Sequence, residues 1–135
     1  MSSNPLWDKF VAITSYYTFG LTGLIWIIAS YVVFKKPLTP FCSYHIYQSI
    51  FISVLLAVFS MLLDIIFQLT VKIPFIGDFI GLFNLYVFKL PIFHTFSLFN
   101  LIIFSIITYL SLGALLGKLS YFPFISDVIK SNFRN

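Results

Sequence analysis

Glutamate is absent from this sequence, and the acidic charge comes from only four aspartates. The eight lysine and arginine residues give a net charge of +4, and they are scattered without forming a basic run. That distribution gives no support to nucleic acid as a partner. Charged residues make up 9% of the chain and hydrophobic residues 60%. A soluble domain of this composition would have too little polar surface to cover itself.

The patterns typical of catalytic and metal sites are also missing. Cys42 is the single cysteine, which excludes an internal disulfide. His45 and His94 lie far apart with no cysteine or carboxylate at ligand spacing, although they could still meet as metal or haem ligands inside a helical bundle. No Ser/His/Asp order, glycine-rich phosphate loop or pair of carboxylates can be assembled. We therefore expect no enzyme activity, no catalytic residues, no metal and no cofactor.

Long stretches of the chain are nearly free of charge, and each is long enough to cross a membrane. A helix of about 20 apolar residues spans the hydrocarbon core, which is roughly 30 Å thick. The predicted spans cover residues 10–34, 41–70 and 91–117. The sequence therefore predicts an all-α fold in which residues 1–135 form one integral membrane domain. Tyr16, Tyr17 and Tyr31, nearer the ends of the first span, are typical of an aromatic belt.

The segment 74–88, between the second and third predicted spans, is too short for a comfortable crossing. As a helix it would be about 22 Å long. Asp78, Gly81 and Asn84 recur at a spacing of three and put a polar stripe on one face. We predict an amphipathic helix lying in the membrane interface, with a short fourth span as the alternative.

A weak internal repeat links this segment to the polar tail, residues 118–135. Residues 74–80 read Pro-Phe-Ile-Gly-Asp-Phe-Ile, and residues 123–129 read Pro-Phe-Ile-Ser-Asp-Val-Ile. A proline in the first turn followed by a carboxylate favours a helix start. Both segments are therefore predicted to begin short surface helices.

The lysine distribution predicts which side of the membrane the tail occupies. With three spans, the first loop and the tail share a side and carry five basic residues, against three on the other side. The five are Lys35, Lys36, Lys118, Lys130 and Arg134, and the three are Lys9, Lys72 and Lys89. The positive-inside rule then makes the tail cytoplasmic and puts the N-terminus on the opposite side. With four spans the margin is again five to three and the tail is again cytoplasmic, but the N-terminus lies on the same side as the tail.

Asp64 and two glycines are the candidates within the predicted spans. Asp64 lies inside the second span, where a carboxylate is costly, so it indicates either a functional group or a side chain hydrogen-bonded to Ser60 or Gln68. Gly113 and Gly117 have the spacing that lets helix backbones approach closely in lipid. Gly117, which is followed by Lys118, also predicts the end of the third helix.

Two segments resemble a known family of membrane proteins. Residues 41–50 read Phe-Cys-Ser-Tyr-His-Ile-Tyr-Gln-Ser-Ile, and residues 117–127 read Gly-Lys-Leu-Ser-Tyr-Phe-Pro-Phe-Ile-Ser-Asp. The first is similar to the Phe-x-Arg-Phe/Tyr-His-x-x-Gln-Ala/Ser-Ile segment of the Tic translocon membrane-subunit family. That family comprises the twenty-kilodalton-class import component of the chloroplast inner envelope and its bacterial relatives. The second is similar to the family's ending.

The resemblance singles out Tyr44, His45 and Gln48, together with Pro123 and Asp127 in the tail. The first three share one helical face at the membrane boundary, where they either cap the second span or bond the loop or tail. The chain departs from the family at Ser43, where the family has arginine, and at Ser53, where an acidic residue is common. Family members usually have four spans.

The resemblance implies a non-enzymatic subunit of a protein-translocation assembly, in a plastid inner envelope, another organelle inner membrane or a bacterial inner membrane. Lipids and other membrane subunits are the expected partners. The alternative is a structural accessory subunit of a respiratory, photosynthetic or other energy-converting complex. A third hypothesis is a small-molecule or ion carrier that uses Asp64.

Overall fold

The computed structural model describes residues 5–132, and it is mostly helical. The helices are α1 Leu6–Tyr17, α2 Leu21–Ile28, α3 Pro40–Thr70, α4 Ile76–Asn84, α5 Leu98–Leu115 and α6 Ile125–Asn132. Single π-helical turns extend α2 through Ala29–Val33 and α4 through Leu85–Lys89. Two short antiparallel strands, β1 Pro91–Phe93 and β2 Phe96–Ser97, form a hairpin. The chain divides into two compact units, Met1–Leu55 with Ile107–Asn135, and Leu56–Ile106.

Two helices, α3 and α5, are long and apolar enough to cross a membrane. The 31 residues of α3 match the second predicted span almost to the residue. Helix α5 is shorter than the third predicted span. It begins only at Leu98, and the residues from Pro91 to Ser97 form the hairpin. Its 18 residues still give about 27 Å of helix, close to the hydrocarbon thickness.

The first predicted span is not confirmed as one helix. It is interrupted between α1 and α2, where Phe19 and Gly20 both have positive φ, at 53° and 85°. A Cβ on Gly20 would lie 2.8 Å from Ile50 Cγ1 and 3.0 Å from Ile50 Cα, so the close approach to α3 requires glycine here. Helix α2 with its π-turn is only about 20 Å long, too short to span.

The two halves of this interrupted segment lie beside each other as a helical hairpin. Trp7 near the start of α1 contacts Trp26 in α2, with ring centroids 5.7 Å apart. Thr39, just before α3, donates a hydrogen bond of 2.5 Å to the buried carboxylate of Asp8. The beginning of α1 therefore lies next to the 35–40 loop.

The predicted helix in the segment 74–88 is present as α4 with its π-turn. The compact unit that contains α4, Leu56–Ile106, also contains aromatic rings in edge-on and tilted contact. Phe88 contacts Phe67 of α3 and Phe99 of α5, at centroid distances of 5.6 and 4.8 Å. The polar stripe of Asp78, Gly81 and Asn84 lines a groove of about 560 Å³.

The two copies of the internal repeat have the same local structure. In each, the isoleucine amide donates a 2.8 Å hydrogen bond to the carbonyl of the proline two residues earlier. Phe75 and Phe124 stand at the centre of these turns with φ of 65° and 67°, which is the rare classic γ-turn. Helices α4 and α6 begin directly after the turns, as the sequence predicts.

Helix α5 ends in a Schellman motif. Gly117 has φ 70°, its amide donates to the Ala114 carbonyl at 3.0 Å, and the Lys118 amide donates to the Gly113 carbonyl at 2.9 Å. The predicted helix stop is confirmed. A Cβ on Gly113 would collide with the Ser120 side chain, so this glycine admits the chain's own tail.

Candidate functional site

The first turns of α3 bury polar side chains against α1 and the tail. Tyr44, His45 and Gln48 lie on the face that the sequence predicts, and all three are buried. They meet Tyr16 from α1 and Ser120 and Ser126 from the tail. We call these six residues the helix–tail cluster. All six belong to the same compact unit.

Gln48 joins the three parts of the cluster. Its Oε1 accepts a 2.6 Å hydrogen bond from the Tyr16 hydroxyl. Its Nε2 donates to the Ser120 carbonyl at 3.0 Å and to Ser126 Oγ at 3.1 Å. The amide is fully buried, so water cannot reach it. These protein partners therefore supply its hydrogen bonds.

Tyr44 holds the start of α6. Its hydroxyl lies 2.9 Å from both the Ser120 carbonyl oxygen and Ser126 Oγ. The Phe122 amide donates to Ser126 Oγ at 2.7 Å, so the serine also closes the turn before α6. Ile125 and Ile129 are buried beside it. The short surface helix predicted in the polar tail is therefore present as α6, and it is docked against α3.

His45 is fully buried, and both ring nitrogens face oxygen atoms. Nδ1 lies 2.8 Å from the Tyr16 hydroxyl oxygen, and Nε2 lies 3.1 Å from the Lys118 carbonyl. The single proton of a neutral ring can serve one of these contacts. The Tyr16 hydroxyl donates its one proton to Gln48 Oε1, so its oxygen accepts from His45 where Nδ1 carries the ring proton. The Phe41 ring packs against the imidazole, with centroids 4.6 Å apart.

Small residues form the contact between α1 and α3 next to the helix–tail cluster. Ser15 and Ser49 hydroxyls lie 2.6 Å apart, and both side chains are buried. Gly23 packs against Ser15 and Ile46, where a Cβ would collide with both. Cys42 is fully buried in the same core, with Val11 and Ile46.

The tail residues Pro123 and Asp127 have separate roles. Pro123 begins the γ-turn that leads into α6. Asp127 lies in the first turn of α6 and accepts a 2.9 Å hydrogen bond from the exposed Tyr121 hydroxyl. This bond, with the carboxylate's charge, raises the pKa of Tyr121 above its ordinary value. The bond therefore contributes to folding stability at a pH below the ordinary pKa of tyrosine. This contribution is lost as the pH rises through the raised pKa of Tyr121.

Asp64 lies away from the helix–tail cluster, in the other compact unit. Its side chain is exposed, and within residues 5–132 it makes no hydrogen bond or ion pair, so the bond to Ser60 or Gln68, one of the two alternatives, is not present. It lines a cavity of about 480 Å³ that also includes Asn84 and Lys89.

We expect Asp64→Asn to leave both abundance and assembly unchanged. The substitution removes a charge that has no partner in the described part of the chain, and it spares the cost of placing that charge near lipid. Asp64→Leu should also be tolerated, because no partner is orphaned. Co-purification of partners and protein level in native membranes measure this. Loss of transport with normal assembly in Asp64→Asn would instead support the carrier hypothesis.

The structure also contains site residues that the sequence did not single out. Tyr16 was expected in an aromatic belt, but its side chain is buried and bonds His45 and Gln48. Ser120, Ser126 and Asp8 are buried as well. Serine is common in loops and gives no signal by itself. The one available signal for Tyr16 is its spacing of four residues from Ala12 and eight from Asp8, which puts it on the same buried face of α1.

No metal centre is formed by the described residues, in which no group of three or more His, Cys, Asp or Glu side chains could hold an ion. His94 is exposed at the turn of the β1–β2 hairpin, where its φ is 54°. No protein-family model, curated protein or solved structure matches this chain.

Proposed function

We propose that this chain is a non-enzymatic integral membrane subunit of a protein-translocation assembly of the Tic type. The observation that carries the proposal is the helix–tail cluster. The two segments of the resemblance are distant in sequence, yet Tyr44 and Gln48 of the first hydrogen-bond Ser120 and Ser126 of the second. The motif residues thus form one structural unit, as expected if the resemblance reflects a shared fold.

In a membrane, we infer that α3 and α5 are the two crossings. The N-terminal hairpin, the 35–40 loop and the tail then share one side, in place of the three-span arrangement. That side carries six basic residues, Lys9, Lys35, Lys36, Lys118, Lys130 and Arg134, against Lys72 and Lys89 on the other. This margin is wider than the five to three of the three-span arrangement, so the positive-inside rule favours a cytoplasmic tail more strongly.

The helical hairpin formed by α1 and α2 would enter the bilayer without crossing it. Its tip at Gly20 contacts Ile50, which lies about 15 Å along α3 from Pro40. Non-helical backbone is tolerated at membrane depth only where its polar groups are satisfied by protein. At this tip the Gly20 amide donates to the Ser15 carbonyl at 2.7 Å, and the Leu21 amide donates to the Thr18 carbonyl at 3.2 Å.

Cysteine labelling in intact membranes tests the topology. In a Cys42→Ser background, we expect Leu6→Cys, Lys36→Cys and Ser131→Cys to react from the same side, because α1, the loop and the tail are joined by hydrogen bonds and ring contacts. Lys72 is separated from Leu6 and Lys36 by the α3 crossing and from Ser131 by the α5 crossing. Lys72→Cys should therefore react only from the other side. Labelling of Leu6→Cys on the Lys72 side would contradict this topology, because the chain would then cross the membrane an odd number of times in total.

Purification of the tagged chain from its native membranes, followed by identification of the co-purifying proteins, tests the function. Preprotein-import or protein-translocation components support the proposal. Subunits of a respiratory or photosynthetic complex would instead establish the accessory-subunit alternative. A Gln48→Leu variant serves as the matched sample, because weaker docking of the tail should reduce recovery of true partners while leaving abundant contaminants unchanged.

A further inference from the structure

A cavity of about 590 Å³ lies where the start of α3 meets the tail. Its walls are mainly apolar, and a single charged side chain is among the lining residues. The lining residues are Leu38, Pro40, Ser43, Tyr44, Leu119, Ile129 and Lys130. The volume is within the range of about 300 to 1,000 Å³ found for small-molecule sites. Such a lining suits a ligand that has an apolar body and a negatively charged end.

The charge of Lys130 is available to such a ligand. Its Nζ lies 5.6 Å from the centre of the Tyr121 ring. This cation–π contact holds the exposed lysine side chain over the ring. Asp127, the other charged residue of α6, instead accepts the hydrogen bond from Tyr121. Lys35, Lys36 and Lys118 add further positive charge to the loop and tail.

The depth of the cavity matches the phosphate layer of a bilayer. Helix α3 has 31 residues and is about 46 Å long, so about 16 Å of it must extend beyond the hydrocarbon core. The charge-free part of α3 ends at Leu63, directly before Asp64. Counting about 20 residues back from Leu63 puts Pro40 and Ser43 at headgroup level.

We propose that this cavity binds one anionic glycerophospholipid, with an acyl chain against Leu38, Leu119 and Ile129 and its phosphate at Lys130. The inference goes beyond the translocation role and requires only that the chain lies in a membrane. A lysine ammonium is a common partner for phosphate oxygens. Basic pockets on the cytoplasmic side of membrane helices recognise anionic headgroups in this way.

Native mass spectrometry of the full chain, titrated with phosphatidylglycerol or phosphatidylcholine of identical acyl chains, tests the proposal. We expect phosphatidylglycerol to bind about fivefold more tightly, the preference that one basic residue near an anionic headgroup supplies. Lys130→Gln should abolish that preference, whereas Lys72→Gln, which removes an equal charge from the other compact unit, should retain it.

A second variant separates the acyl-chain contact from the charge. Leu119 is half exposed, so Leu119→Trp can fill the cavity without disturbing the core, and it should weaken binding of both lipids. Equal affinity of the native chain for the two lipids would overturn the proposal, as would a preference that survives Lys130→Gln. A lipid-free dimer that Leu119→Trp dissociates would assign the cavity to a second copy of the chain.

Discussion

Replacing Gly20 with alanine is expected to separate α1 from α3 and to destabilise the fold by about 2 to 4 kcal/mol. Gly20 has φ 85°, a conformation that costs an L-residue strain, and its Cα faces the backbone of Ile50. A side chain 3.0 Å from Ile50 Cα can be relieved only by moving a helix, because backbone has no alternative rotamer.

The buried thiol of Cys42 provides the measurement. Cys42 belongs to α3 and is fully buried in one core cluster with Val11 of α1, so a thiol reagent in mild detergent reaches it only after the two helices open. Gly20→Ala should accelerate labelling by about 30-fold or more. Gly81→Ala is the matched control, because a Cβ there meets nothing within 4 Å and alanine favours a helix. Equal labelling rates in both variants would contradict the close approach at Gly20.

The second large effect is expected from Tyr16→Phe. The hydroxyl of Tyr16 serves Gln48 Oε1 at 2.6 Å and His45 Nδ1 at 2.8 Å, and both partners are fully buried. Its removal leaves buried polar atoms without a partner, at a cost of about 2 kcal/mol. We expect faster labelling of Cys42 and a lower unfolding temperature in detergent, with the helix content unchanged at low temperature.

Tyr31→Phe is the control for this substitution, since the Tyr31 side chain is 58% exposed. It removes the same hydroxyl from the same helical hairpin without touching the helix–tail cluster. Similar unfolding temperatures for the two variants would show that the Tyr16 bonds contribute nothing to stability. Gln48→Leu should resemble Tyr16→Phe, because it removes the acceptor of the Tyr16 hydrogen bond and the amide that donates to Ser120 and Ser126.

Several features were predictable because they depend on short stretches of sequence. The charge-free run before Asp64 predicted α3, since water offers no reason to exclude charge from so many residues. The Pro-Phe-Ile repeat predicted the starts of α4 and α6, although each proline lies in the turn before the helix and not in its first turn. Gly117 predicted the end of α5, as glycine alone adopts the left-handed conformation without strain.

The site was predictable in part. A spacing of one and four residues put Tyr44, His45 and Gln48 on one face of α3, since neighbouring turns of a helix repeat at that interval. Their partners were not predictable. Ser120 and Ser126 lie in a segment that has no periodic pattern, and a hydroxyl can bond almost any polar group. The fixed geometry of α3 therefore determined one half of the site, and the docking of the tail determined the other.

The sequence by itself determined the helical class of this protein, the position of α3 and the end of α5, because charge exclusion and a glycine stop are properties of each stretch alone. Only the tertiary structure decided that residues 10–34 form a helical hairpin. Glycine is accepted both within membrane helices and in turns, so Gly20 carried no local signal. The contact with Ile50 selects the turn, and the bond from Thr39 to Asp8 brings α1 back to the loop. Both interactions join residues that are distant along the chain, which is why no local pattern records them.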